Sequence, residues 1–334
     1  TGSLILMYLG HYQYTTVLDM IIQKKERDTV YLVNNIFEQI TDEYTYHGQE
    51  LLSNPKIIEA FANRDRKELQ KLTLPIYEKL RKENPHLNIM HFHTADTHSF
   101  LRLHKLEKFG DDLSSIREII VKTNQLKKIQ TGLETGKYGL SYRITFPVFK
   151  DDKHIGAFEF GVDIKYLMSK ISTLNVYTPV LIVKKEAVAP IYKYDKAADK
   201  YLRAFTKEYS LINYQSNIEN NILINELVDT RIIDQNSYIE TKDDKEHLVF
   251  HAYDLRDYKN RLMGSFIFID EMDYYMDTIV FLRWISIIIT LFLVIIIVGL
   301  IYKLINNYTA ELRKQKDSLD HQAHHDSLTG LPNR

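Results

Sequence analysis

Residues 139–164 read GLSYRITFPVFKDDKHIGAFEFGVDI, and this stretch decides the fold that the sequence predicts. Apolar and polar side chains alternate through both halves, as in strands that bury one face. The polar KDDK at 150–153 separates the halves and is typical of a turn. The stretch therefore predicts an antiparallel hairpin whose two faces differ in polarity.

Other short alternating runs lie on either side of this hairpin. They are NIMHFHT (88–94) and SFLRLHK (99–105), and then TPVLIVKK (178–185), NSYIET (236–241), HLVFHAYDL (247–255) and RLMGSFIFID (261–270). A helix, YLMSKISTL (166–174), separates the two sets, and a further helical region is expected near 196–212. We predict an α+β fold with two antiparallel-sheet modules, at 14–165 and 166–280.

The N-terminal part of the first module is expected to be helical. From about Tyr14 to Leu52 there is neither proline nor a turn cluster, and the apolar positions keep mostly helical spacing. Asn54-Pro55 interrupts this long helix and restarts it as PKIIEAFANRDRKELQKL, because proline suits the first turn of a helix. Two more helical stretches should follow and end near Pro85.

Residues 284–302, WISIIITLFLVIIIVGLIY, contain no charged side chain. As a helix this segment would be about 28 Å long, close to the hydrocarbon thickness of a bilayer. We therefore expect a transmembrane helix at 281–303; a buried core helix, the alternative, seldom runs so far without a polar face. Acidic residues precede the segment and basic residues follow it, so its C-terminal side is expected in the cytoplasm and residues 14–280 outside it.

The start of the chain carries a second, shorter apolar run, LILMYL at 4–9. It is too short to span a bilayer, and no small-residue cleavage site follows it. We interpret residues 1–13 as the remnant of a first transmembrane helix. The alternative is the apolar beginning of an ordinary helix.

The composition excludes several classes of function. Lys and Arg number 43 and Asp and Glu 44, giving a formal charge of −1, so nucleic acid is not an expected partner. The chain has no cysteine, which excludes disulfides, thiolate metal sites and a cysteine nucleophile. It also has no glycine-rich phosphate loop, no G-x-S-x-G and no H-E-x-x-H, so we predict no catalytic residues in the outer part.

The first module concentrates groups that can recognise an anionic or zwitterionic molecule. Residues two or four apart on a strand share a face, which places His91 with His93, Arg102 with His104, and Glu159 with Asp163. A guanidinium binds a carboxylate as a planar fork, and carboxylates hold an ammonium. The predicted ligand-binding residues are His93, Arg102, His104, Arg143, Glu159 and Asp163. The predicted partner is a small molecule such as a carboxylate or an amino acid; Lys105, Lys108, Asp111 and Asp112 are interpreted as turn and surface residues.

Two alternatives remain open for these side chains. Strand arginines and glutamates commonly belong to a solvated face or a surface ion pair. The five histidines His86, His91, His93, His98 and His104 could instead include metal ligands, since H-x-H places two imidazoles on one strand face. The spacing lacks a second close ligand pair, and we predict no metal.

A helix is expected beyond the membrane segment, at 304–325. Ile305, Leu312 and Leu319 recur every seven residues, with Tyr308 and Gln315 near the companion positions. This pattern predicts a short parallel coiled coil between two copies of the chain. Because the companion positions are polar, a solvated helix is the alternative.

The segment DSLTGLPNR, residues 326–334, resembles the entry motif of the GGDEF domain of diguanylate cyclases, which follows a signalling helix. The resemblance implies an output domain that makes cyclic di-GMP from two GTP molecules, requires Mg²⁺ and works as a homodimer. No adjacent glycine pair occurs in the sequence, so the catalytic loop of that family lies outside it, and we expect no cofactor in these residues. The alternative is a receptor or scaffold with a degenerate or different output domain.

Residues 90–114, MHFHTADTHSFLRLHKLEKFGDDLS, together with 139–164, resemble the double Cache sensors of bacterial receptors, although Leu106 stands where that family has proline. The resemblance implies two PAS-like modules on the outer side of the bacterial inner membrane. It also implies a small ligand in the first, membrane-distal module and signalling through the membrane helices to a dimeric output.

Overall fold

The computed structural model describes residues 2–136, 139–174, 177–194, 202–212 and 218–324. The helices are α1 (Gly2–Leu52), α2 (Pro55–Ala62), α3 (Arg66–Glu83), α4 (Glu118–Leu126), α5 (Ile164–Thr173), α6 (Lys185–Tyr194), α7 (Ile218–Leu227), α8 (Arg231–Gln235) and α9 (Asp273–His324). The strands are β1 (Leu87–Thr94), β2 (Ser99–Arg102), β3 (Gln130–Gly136), β4 (Gly139–Lys150), β5 (Lys153–Asp163), β6 (Thr178–Lys184), β7 (Leu202–Ala204), β8 (Tyr209–Ile212), β9 (Ser237–Lys242), β10 (Lys245–Arg256) and β11 (Leu262–Glu271). The predicted α+β fold with two antiparallel sheets is confirmed.

The helix boundaries near the N-terminus follow local capping chemistry. The long helix ends at Leu52 as predicted, and the Asn54 side chain accepts a hydrogen bond of 3.0 Å from the Lys56 amide to start α2. The prediction of a single helix after Pro55 is wrong. It breaks because Arg64 adopts a left-handed φ of 58° and Asp65 caps a new helix, α3, which continues through Pro75 to Glu83.

The first sheet has the strand order β2-β1-β5-β4-β3, with every pair antiparallel. Its apolar face carries the aromatic rings of β1, β4 and β5 and packs against α1 and α2. The Phe92 ring lies 5.2 Å from that of Phe61, and the Phe160 ring 5.2 Å from that of Tyr44. These contacts bury one face of the predicted hairpin, as its alternation requires.

The opposite face of this sheet is polar although it is buried. Opposed residues of neighbouring strands share a face, and the register pairs His91 with Glu159, Arg143 with Gly161, and Thr145 with Glu159. Helix α4 partly covers this face through a hydrogen bond of 2.6 Å between the hydroxyls of Thr123 and Thr145. The fold therefore gathers charged side chains under cover instead of exposing them to solvent.

The second sheet has the strand order β7-β8-β6-β11-β10-β9, again with antiparallel pairs. Its core consists of aliphatic residues from the strands together with α7 and α8, including Val249, Ile267 and Ile232. The prediction of a helical region near 196–212 is wrong for residues 202–212, the part of it that the structure describes. Strands β7 and β8 lie there instead, because Tyr209–Ile212 pairs with β6 and β7 pairs with β8.

The second sheet is tied to the long first helix by a partly buried ion pair. Lys25 of α1 donates to the carboxylate of Asp270, three residues before α9 begins. Their side chains are 9% and 12% exposed, and burial raises the pKa of Asp270 above its ordinary value. The pair fixes the end of β11 to α1.

The chain divides into two compact units, residues 21–273 and residues 1–20 together with 274–334. Within the described residues, one helix is long and apolar enough to cross a membrane, at Tyr275–Asp320, and none of its most apolar stretch is buried. Helix α9 runs without a break through the predicted membrane segment and linker. The side chains of the apolar run at 4–9 and the motif at 326–334 lie outside the described residues.

Gly156→Ala is expected to lower the free energy of unfolding by about 2–4 kcal/mol, because a Cβ there would lie 2.2 Å from the His93 carbonyl oxygen and 2.8 Å from the Phe61 ring. Gly110→Ala is the control, since φ is also positive there but nothing lies within 4 Å of the added Cβ; it should cost about 1 kcal/mol. Urea unfolding of the purified chain in detergent measures both. Equal losses would contradict the close packing assigned to β1 and β5.

Candidate functional site

A cavity of about 930 Å³ lies over the polar face of the first sheet. Its walls come from α3, from β1, β3, β4 and β5, from residues 102–117 and from α6, which follows the first strand of the second sheet. Its cationic lining residues are Arg81, Arg102, Lys105, Lys108, Arg117 and Arg143, and its carboxylates are Asp111, Glu159, Asp163 and Glu186. Tyr77, Asn88, Ile89, His91, His104, Leu113, Ile116, Thr135, Gly136, Gly139, Ser141 and Ala189 complete it. The volume suits a small organic molecule.

Glu159 lies at the centre of the cavity floor and is 1% exposed. Its Oε1 is 3.1 Å from His93 Nε2 and 3.3 Å from His91 Nδ1, and its Oε2 accepts a hydrogen bond of 2.8 Å from Arg143 Nη1. Burial alone would raise the pKa of Glu159, but Arg143 and the hydrogen bonds from the two imidazoles hold it well below its usual value. The carboxylate is therefore charged.

The two imidazoles beside Glu159 are neutral. The rings of His91 and His93 are in contact, with centroids 3.8 Å apart and planes inclined by 45°, as residues two apart on β1 can be. Burial lowers the pKa of both, and the neighbouring His93 lowers that of His91 further. The His91 Nε2 atom lies 2.8 Å from the Ser99 hydroxyl, whereas His93 Nδ1 has no hydrogen-bond partner in the described part of the chain.

Arg117 and Arg143, which both line the cavity, share a second carboxylate, that of Glu134. Glu134 Oε2 is 2.7 Å from Arg117 Nη1 and 3.0 Å from Arg143 Nε, although the second contact lacks the alignment of a hydrogen bond. Arg143 is fully buried, and its Nη2 has no hydrogen-bond partner among the described residues. A methyl group on Gly136 would lie 3.5 Å from this atom and 3.7 Å from Arg117 Nη2. Two guanidinium nitrogens thus converge beside one glycine.

Arg102 is placed at the cavity edge, but its guanidinium fork is already engaged. Its two terminal nitrogens donate to Asp111 at 2.6 and 2.9 Å, and Nη1 also donates to the Lys108 carbonyl at 2.9 Å. Asp111 lies in a loop with its side chain 37% exposed, and this bidentate pair holds the loop that walls the cavity. The hydrogen bonds from Arg102 lower the pKa of Asp111.

His104 and Asp163 also line the cavity. His104 lies beyond the end of β2 rather than on the strand, and its ring is 6.0 Å from that of His91. Burial lowers its pKa to about 4. Asp163 accepts from the Lys165 amide at 2.9 Å as the cap of α5 and from Asn88 at 2.9 Å, and burial raises its pKa. Both of its oxygens therefore already serve the fold.

The structure brings the predicted site residues to the polar side of the first sheet, but not all of them line the cavity. Arg102, His104, Arg143, Glu159 and Asp163 line the cavity, whereas His93 lies behind the lining and contacts Glu159. Their role in ligand binding stays a prediction. Sequence reasoning missed Arg117 and Glu134. The run QTGLETG is a strand without an apolar alternation, and Arg117 lies at a helix start that no motif marks.

The arrangement is suited to a ligand that carries a negative group and a positive one. The convergent nitrogens of Arg117 and Arg143 can donate to a carboxylate or phosphate in a setting with little competing water. The exposed carboxylate of Glu186 on the facing wall can accept from an ammonium. A neutral apolar molecule would leave these buried donors unpaired.

The sequence profile of the dCache_3 family, described as a double sensory domain of two-component sensor kinases, matches residues 25–276. No curated protein sequence matches the chain.

Several solved sensory domains are similar to this chain at low identity. A sensory box/GGDEF family protein from Vibrio parahaemolyticus has 15% identity and a TM-score of 0.41, covering 78% of this chain and 97% of that one. The sensor domain of the V. cholerae histidine kinase DctB has 9% identity and a TM-score of 0.44, covering 78% and 98%. The ligand-binding domain of the Campylobacter jejuni chemoreceptor Tlp3, in complex with 4-methylisoleucine, has 11% identity and a TM-score of 0.42, covering 78% and 93%.

The buried neutral His104 is expected to make stability depend on pH. Its pKa of about 4 lies below the ordinary value of 6.5, so the unfolded chain binds the proton first as the pH falls. The free energy of unfolding keeps the full contribution of the neutral His104 above pH 6.5 and loses it progressively between pH 6.5 and about 4. The loss is about 2 kcal/mol at pH 5. In urea titrations the free energy of unfolding should fall less between pH 6.5 and 5 for His104→Gln than for the wild type. His47→Gln, on α1 away from the cavity, is the control; a His104→Gln profile equal to that of the control would contradict the assignment.

Proposed function

The chain belongs to the dCache_3 family and so carries an extracellular ligand-binding sensor domain of signalling proteins; we propose that its ligand binds in the cavity over the first sheet. The ligand is a small carboxylate, such as an amino acid. The observation that carries this proposal is the pair of convergent guanidinium nitrogens beside Gly136, of which Arg143 Nη2 is buried and without a partner in the described chain. A ligand carboxylate supplies the acceptor that these nitrogens lack.

The fold supports a route from this cavity to the second module. Residues 257–261 connect β10 to β11, and this hairpin tip contacts the first module. Gly132 packs closely against Tyr258, and Leu133 pairs with Asp257 in an isolated bridge. The Tyr258 hydroxyl donates to Glu118, which also accepts from Lys259 at 2.5 Å.

The residues at this contact neighbour those of the cavity in sequence. Glu118 follows Arg117 at the start of α4, and Gly132 lies two residues before Glu134 on β3. Closing of Arg117 and Arg143 on an anion would shift both elements, and the hairpin tip would move with them. Strand β11 runs from this tip to Glu271, and Met272 connects it to α9. We propose this hairpin as the route by which binding reaches the membrane helix.

The output is proposed to be a diguanylate cyclase of the inner membrane, with residues 14–280 outside the cytoplasm, the C-terminal side within it and Mg²⁺ serving the catalytic domain. The support is the motif DSLTGLPNR at 326–334 and the charge asymmetry around the apolar segment of α9. Reading the gene beyond the Arg334 codon tests this output: a GG[DE]EF loop supports it, and its absence favours a receptor or scaffold with another output. Either result is compatible with the proposal that a ligand binds in the cavity.

Gly136→Ala tests the ligand site directly. The added methyl group makes ordinary contacts with Arg143 Nη2 at 3.5 Å and Arg117 Nη2 at 3.7 Å, so the fold should tolerate it while the anion position is blocked. In a thermal-shift screen with carboxylates and amino acids, a compound that stabilises the wild type should lose at least tenfold in affinity, about 1.4 kcal/mol. Gly110→Ala, with open space around its Cβ, should bind as the wild type does. Undiminished binding by Gly136→Ala would remove the guanidinium pair from the site.

The proposed homodimer is tested with single cysteines, since the chain has none of its own. Leu312 is 46% exposed on α9 and belongs to the heptad of Ile305 and Leu319. In a parallel coiled coil, Leu312→Cys should form an interchain disulfide in membranes several times faster than Arg313→Cys, which lies on a different face of the helix. Equal rates at the two positions would contradict pairing along this seam.

A further inference from the structure

We propose that His91, His93 and Glu159 form a binding site for a divalent first-row metal ion such as Zn²⁺, open on one side to the cavity. The ligand atoms are His91 Nδ1, His93 Nε2 and Glu159 Oε1. All three residues are buried, and these atoms lie within 4.8 Å of one another. Two imidazoles and one carboxylate are a ligand set that such ions prefer.

The distances agree with a common metal centre. Zinc bonds to imidazole nitrogen and carboxylate oxygen are about 2.0–2.2 Å long, so two ligands of one tetrahedral ion lie about 3.3 Å apart. Glu159 Oε1 is 3.1 Å from His93 Nε2 and 3.3 Å from His91 Nδ1. An ion can therefore replace the protons between these atoms with small movements of the rings.

The groups behind the three ligands are compatible with metal binding. The Ser99 hydroxyl lies 2.8 Å from His91 Nε2 and can accept a hydrogen bond from Nε2–H when Nδ1 binds the ion, because a hydroxyl serves as donor or acceptor. No group in the described chain fixes the tautomer of His93, whose Nδ1 has no partner. Arg143 holds Glu159 Oε2 at 2.8 Å and leaves Oε1 directed at the imidazoles.

Repulsion from the nearby guanidinium groups is the main force that opposes a cation here, and ion pairs with carboxylates reduce this repulsion. Asp111 neutralises Arg102, and Glu134 lies against both Arg117 and Arg143. With Glu159 included, three carboxylates balance three guanidinium groups. A divalent ion adds two positive charges, which water-derived hydroxide or a ligand carboxylate at the open position can offset. Binding of a ligand carboxylate to the ion rests on the proposed function, whereas the three-residue site does not.

Zinc itself is the probe for this site. The full chain is purified in detergent, treated with chelator, returned to Zn²⁺ without added organic ligand, and desalted before elemental analysis. The wild type should retain about one zinc per chain and His93→Gln less than a tenth of that. The control, His98→Gln, alters a histidine 42% exposed at its side chain and outside the three-residue set, and should retain zinc as the wild type does.

A second measurement covers the case in which His93→Gln fails to fold. Co²⁺ added to the wild-type chain should give the visible absorption of a four-coordinate site, and Zn²⁺ should abolish it. Zinc retention by folded His93→Gln, or no retained zinc and no cobalt absorption in the wild type, would overturn the proposal and leave a proton-linked network of two histidines and Glu159. Neither result bears on the Gly136→Ala binding test, so failure of the metal site and failure of the ligand site are distinguishable.

Discussion

The burial of Glu159 and Arg143 in the middle of a sheet is the constraint on which the rest of the first module depends. Neither side chain contacts solvent appreciably, with 1% and 0% exposure. A buried charge without a partner destabilises a fold by several kcal/mol, so the position requires neighbours of opposite charge and aligned donors. The two histidines of β1, Glu134 of β3 and the pairing of β4 with β5 supply them.

The same constraint explains why the two faces of this sheet have different tasks. The aromatic face packs on α1 and α2 and supplies apolar burial. The polar face cannot be closed by apolar packing, because that would leave charged groups unpaired. It is instead covered by a loop that Arg102 and Asp111 hold, by α4 and by α6, with a cavity between them. Because α6 belongs to the second module, the cavity has walls from both modules.

Much of the fold could be predicted from the sequence because its alternation is strong. The strand at 153–163 places Phe158 and Phe160 on one face and Glu159 on the other, and the structure keeps this division. Spacing arguments could not bring together the three residues of the proposed metal site. Glu159 meets the H-x-H of β1 only through strand pairing, since it lies 66 residues beyond His93. Likewise Arg117 and Glu134 have no pattern that distinguishes them from surface charges, and β7 and β8 are too short for periodicity to outweigh local helical propensity.

Amide hydrogen–deuterium exchange tests the central claim that a ligand in this cavity acts on the second module through the hairpin tip. The full chain in detergent is compared with and without a carboxylate or amino acid that raises its melting temperature. If binding is transmitted through the tip, exchange should slow in β3, at the start of α4 and at residues 257–261, with little change in β7 and β8. Protection confined to the second sheet, or protection of the cavity walls with unchanged exchange at 257–261, would contradict it.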